Sequence, residues 1–188
     1  MRLALALLLA LAPLLAQTAR PVSTAAHVTG AVENMPARVS LSSLAALSRG
    51  FDRDFQMKTL ADPIDVLGAT RGIYLEGFGT VFTTELDLIR TPQLSPFRTT
   101  GFSDEEKAKI RQRKQAHIAD VKRLMNAMLQ SAARQLVGMP EDQQIVVAVQ
   151  FLYLPYEDTA GLPGQMIVKA TRRAILSGAQ IEPAVSTQ

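Results

Sequence analysis

Three hydrophobic patterns alternate along the chain. Residues 3–15, LALALLLALAPLL, are apolar without interruption. From residue 71 to 89 apolar and polar residues alternate. Phe82, Thr84, Leu86 and Leu88 form the more apolar face, and Val81, Thr83, Glu85 and Asp87 the more polar one. That period of two predicts strands at about 71–76 and 80–89. From residue 103 the period lengthens. Ile118, Val121, Leu124, Met125, Met128, Leu129, Ala132 and Leu136 recur at helical spacing, so one long helix is predicted over 103–136. Ser103 with Glu106 three residues on makes a capping-box pattern, Asp104 to Glu106 suit the positive end of the dipole, and Gly138 and Pro140 mark the stop.

The remaining elements follow from shorter signals. Val39, Leu41, Leu44, Ala45 and Leu47 predict a helix over 38–48, with Gly50 as its stop. ADPIDVLG reads as one helical turn, with Asp62 as N-cap, Pro63 as first residue and Gly68 as stop. Residues 144–154, QIVVAVQFLYL, are nearly all apolar or β-branched, which suits a central strand covered on both faces. A fourth strand is predicted over 165–176, its alternation interrupted by Arg172 and Arg173.

Strands in pairs around one helix indicate an α+β domain. We expect an antiparallel or mixed sheet of about four strands in the order β-β-α-β-β, with the long helix and the shorter N-terminal helix packed on one face. The organisation read from the sequence is a signal peptide at 1–19, a flexible lead-in at 20–37, the domain at 38–177 and a loose tail at 178–188.

Composition narrows the class. The chain has 188 residues, 47% of them hydrophobic, enough for one domain with its own core. Arg2 before the apolar run, and Ala16, Thr18 and Ala19 after it, read as an export signal. There is no cysteine, which excludes disulfides, thiol nucleophiles and thiolate metal sites. An exported, cysteine-free chain points to a bacterial envelope, either periplasmic or secreted.

Candidate chemistry is sparse. Gly77-Phe78-Gly79 lies between the first two strands. Such a turn exposes backbone N–H groups, but a strand follows where phosphate loops have a helix, so a plain hairpin is the stronger reading. Glu85 and Asp87 share a strand face and could divide acid and base roles, or pair across the sheet with Arg172 or Arg173. These seven residues are the candidate ligand-binding set. No catalytic residue is assigned, and neither a metal nor another cofactor is expected. His27 and His117 form no metal motif, and His117 reads as a helix-surface residue. The first half of the long helix carries Lys107, Lys109, Arg111, Arg113, Lys114, Lys122 and Arg123. It reads as a solvated stretch that projects past the sheet or lies across its end. At most it supports weak peripheral membrane contact, and without aromatic residues it offers nucleic acid no stacking surface.

The segment GIYLEGFGTVFTTELDLI resembles one found in exported bacterial proteins of unknown function. They share a tyrosine, a Gly-aromatic-Gly turn and a strand of the form V-F-x-x-E, here Tyr74, Gly77, Phe78, Gly79, Val81, Phe82 and Glu85. GLPGQMIVKATRRAIL is similar to the end of the same domain. The resemblance spans about 60–176 and implies no activity or cofactor. The sequence therefore predicts a non-enzymatic binding or assembly module whose partner is another envelope protein. The alternative is a hydrolase-type enzyme using Glu85 and Asp87 near the glycine turn.

Overall fold

In a computed structural model of the chain, which describes residues 39–58, 63–90, 101–179 and 181–187, Ser103 starts the longest element as its sequence predicts. Its hydroxyl accepts from the Glu106 N–H, and the Glu106 carboxylate accepts from the Ser103 N–H at 2.8 Å. The signal at 1–19, the lead-in at 20–37 and Asp62 lie outside the described residues.

Among the described residues there are three helices and six strands. In chain order these are α1 (Leu41–Lys58), β1 (Asp65–Val66), β2 (Arg71–Leu75), β3 (Gly79–Asp87), α2 (Asp104–Gln135), β4 (Gln144–Phe151), β5 (Pro163–Thr171), α3 (Arg172–Leu176) and β6 (Ala184–Thr187). The class is mixed α and β, as expected, but the strand count is six rather than four. The sheet runs β1-β3-β4-β5-β6, with β2 on the same edge of β3 as β1. It is mixed: β3 and β4 are parallel, joined by α2 as a crossover, and the other pairs are antiparallel.

Four departures from the sequence reading have local causes. First, Gly50 does not stop α1. Leu44, Leu47, Phe51 and Phe55 continue one buried stripe past it. Burial of two phenylalanine rings outweighs the ~1 kcal/mol a helical glycine costs. Second, residues 65–66 are not helical. They pair with Leu86 and Asp87, because the β3 edge offers backbone partners there. Third, β5 ends at Thr171, whose hydroxyl accepts from the Ala174 N–H and caps α3. Arg172 and Arg173 therefore start a helix instead of interrupting a strand. Fourth, the tail is not wholly loose, since β6 pairs with β5.

Side-chain parity places the core. Phe82, Leu86, Val147, Val149, Met166 and Val168 point to one face, where they form a single cluster with the buried stripes of α1 and α2. Phe51 meets Phe82 edge-on, with ring centroids 5.0 Å apart. Gly72 makes room for that ring, since a Cβ there would sit 2.6 Å from it. The opposite face has no helix on it among the described residues. Val146 and Ala148 are half-buried and Gln150 is exposed, so among the described residues β4 is central with helices on one face only.

The glycine hairpin has a structural explanation. Gly77 adopts φ 78° and Gly79 φ 133°, both unfavourable for residues with a Cβ. At Gly79 the start of β4 also passes against the backbone. The Gln144 N–H donates to the Phe78 carbonyl at 2.8 Å, and a Cβ on Gly79 would collide with the Gln144 backbone. Gly77 has open space around it. Gly79→Ala should therefore destabilise by about 3 kcal/mol and Gly77→Ala by about 1 kcal/mol. Urea unfolding midpoints of the two variants check this, and equal losses would remove the close approach as the reason for Gly79.

Candidate functional site

The two carboxylates singled out in the sequence share a strand face but meet different surroundings. Glu85 stands exposed on the open face of the sheet. Asp87, at the end of β3, binds the Lys114 ammonium at 2.9 Å. The arginines do not reach either one. The Arg172 guanidinium donates to the carbonyls of Ala133 (2.8 Å) and Met139 (3.2 Å), binding the end of α2 and the residues just beyond it. Arg173 pairs with Glu141 at 3.5 Å. Phe78 is half-exposed at the hairpin tip, at the other end of β3 from Asp87. The seven candidates thus meet four different surroundings.

The length of α2 explains why Asp87 meets a lysine. At 1.5 Å per residue the 32 residues of α2 span about 48 Å, whereas the eight residues of β4 span about 27 Å. About 20 Å of helix must overhang the sheet, close to its first 14 residues. The apolar stripe begins at Ile118, where the overhang ends.

The overhang is met by the loop that joins β4 to β5. Phe102 stacks on Tyr156 with centroids 4.8 Å apart. Arg111 pairs with Asp158 at 2.7 Å, and Lys114 with Glu157 at 2.6 Å. Three consecutive loop residues therefore each engage α2 or the residue before its cap. Lys114 and Glu157 have side chains only 1% exposed. The Lys114 ammonium also lies 5.0 Å from the centre of the Tyr153 ring. Burial, followed by the negative charges of Glu157 and Asp87, pushes the Tyr153 hydroxyl well above the usual phenol range. It remains a donor, to the Pro163 carbonyl at 2.7 Å.

Two expectations are corrected here. Lys114 is buried rather than solvated, and His117, at 8% exposure, is buried rather than on the surface. The sequence held the signal: stepping back four residues from Ile118 gives Lys114, so the lysine continues the apolar stripe. Other basic groups of the helix are paired, Lys107 with Asp104 and Arg123 with Asp120. Enclosed as it is, Lys114 cannot reach a substrate, and the cluster fastens the loop to the helix.

The other feature is the open face itself. Across the strands its residues form a lattice fixed by the pairing register. One row is Glu85, Gln150, Gln165 and Ser186. The next is Arg71, Thr83, Ala148, Ile167 and Ala184, and the one after is Ile73, Val81, Val146 and Lys169. Ile73 is 58% exposed, and Leu75, in a fourth row, is 48% exposed. Apolar side chains thus run continuously across four strands, with Glu85, Arg71 and Lys169 around them. Where the edge strand is interrupted between β1 and β2, a depression of about 250 Å³ opens, lined among others by Gly68, Arg71, Thr84, Glu85 and Gln150. Among the described residues, no group of three or more His, Asp or Glu is placed to hold a metal ion, and no helix is long and apolar enough to cross a membrane.

Set against family models, curated proteins and solved structures, the chain has no match in any of the three.

The buried cluster yields a stability prediction. Lys114→Met removes the cation between two carboxylates and should cost about 3–5 kcal/mol. Adding Glu157→Leu should recover part of that loss. Denaturant unfolding of the single and double variants checks it, and a single variant as stable as the parent would mean the ion cluster does not hold the loop.

Proposed function

We propose that this is an exported bacterial envelope protein acting as a non-enzymatic binding or assembly module, with the open sheet face as its contact surface. The observation that carries the reading is the continuous apolar lattice of Ile73, Val81, Val146, Ala148 and Ile167 on a face with no helix across it among the described residues. Contiguous exposed apolar surface rimmed by polar residues marks interaction sites. The sequence of residues 1–19 and the resemblance at 74–85 support export. The hydrolase alternative is the weaker reading, because Lys114 binds Asp87 and so competes with any acid–base work it would share with Glu85.

Site-specific photo-crosslinking in the cells that make the protein tests this. A benzophenone side chain at Ile73 or Ile167 should capture one discrete protein species. The same group at Arg134, exposed on α2, should not. Equal labelling at all three positions, or none at the first two, would sink the reading.

A further inference from the structure

Two of the three charges around the open face, Glu85 and Lys169, are arranged so that the face can complement itself. Strands lie about 4.8 Å apart, and same-face residues about 6.8 Å apart along a strand. On that lattice Ala148 is the midpoint between Glu85 and Lys169. Glu85 is one strand and one row away in one direction, and Lys169 is one strand and one row away in the other. Ile73, Ala148 and Ser186 fall on a second diagonal, two strands and one row to either side. With those two spacings the diagonals cross at close to a right angle.

We infer that the occupant of the open face is a second copy of this chain, related by a two-fold axis lying along the Ile73–Ala148–Ser186 diagonal. The inference rests on the open face being the binding surface. A rotation about that line lays the two sheets face to face. Ile73 meets its own counterpart, Ala148 meets its own, and each Glu85 faces Lys169 of the other copy. Isologous interfaces have this pattern, in which residue i contacts j and j contacts i. The strands of the two sheets then cross at about 70°, toward the orthogonal class of sheet packing.

Size and composition agree. From β2 to β6 and over four rows, the lattice measures roughly 20 Å each way between Cα positions. With its side chains it would bury on the order of 600 Å² per copy, at the lower end of interfaces that hold specific complexes. The centre is apolar and small, and the charges lie toward the periphery, where opposite-sign pairs select register more than they add affinity. An interface at this lower end of size, without a large aromatic anchor at its centre, is expected to hold a weak dimer, about micromolar.

Sedimentation velocity on the full-length chain, from about 1 to 100 μM, tests the inference. The parent should pass from monomer to dimer in that range. Glu85→Lys and Lys169→Glu should each weaken the dimer at least tenfold, because each sets like charges against one another twice. The double charge swap should restore it. All three variants alter exposed side chains, and unchanged circular dichroism checks that they fold. The double swap separates this contact from any association through the apolar N-terminus, which the substitutions would not touch. A parent that stays monomeric, single swaps without effect, or a double swap that does not recover would each overturn the inference. If a monomeric parent is nonetheless crosslinked at Ile73 to a different protein, the two-fold contact falls and the broader binding-module reading stands.

Discussion

The parallel pairing of β3 with β4 is the constraint from which the rest follows. Parallel neighbours cannot be joined by a tight turn, so the chain must leave one end of the sheet and return to the other. Here α2 makes that return, and it can cover only one face. The same pairing brings the start of β4 against the β2–β3 hairpin. There the Gln144 N–H reaches the Phe78 carbonyl, and only a glycine fits at position 79. A motif that looks like a ligand loop in the sequence is thus a site of close backbone approach.

The crossover helix is longer than the strands it spans, and the consequence is electrostatic. Its overhang lies beyond the sheet, outside the buried apolar cluster of the described residues. Ion pairs and one aromatic stack to the 152–162 loop take the place of that core. Lys114 stands at the boundary. On its helix it continues the apolar stripe, yet it carries a charge, and Asp87 and Glu157 both converge on it. Burying a charge is costly unless it is paired and hydrogen-bonded, and this arrangement supplies two partners and an aromatic face. The cluster therefore specifies where the loop sits more than it adds net stability.

Covering one face leaves the other. On β3 and β4 the residues of that face include Val81, Thr83, Val146 and Ala148, small or β-branched side chains that suit a pleated surface, with no helix across them among the described residues. Continuous apolar character in β4 reads in the sequence as a strand buried on both sides. The helices lie on one side, and the second side is the surface through which the chain is proposed to bind. The surplus of apolar residues over what the described fold covers is the physical link between this architecture and a role in association.

The sequence by itself determined the elements that depend on neighbours close along the chain. The capping box at Ser103, the helical stripe from Ile118 and the alternation through Phe82 to Leu88 all express local hydrogen bonding and period. Their placement agrees with the structure to within a residue or two. Tertiary structure decided the rest. Residues 65–66 and 184–187 become strands because β3 and β5 offer open edges, and two or four residues hold too little pattern to declare it. Gly50 lies within a helix because phenylalanines seven and eleven residues beyond Leu44 find a core. Glu85 and Asp87 share a strand face, but the overhanging helix brings a lysine to Asp87 alone, at the last residue of β3. Local rules register period and caps. They cannot register the length difference between a helix and the strands it crosses, and that difference determines which charges are buried and which face stays open.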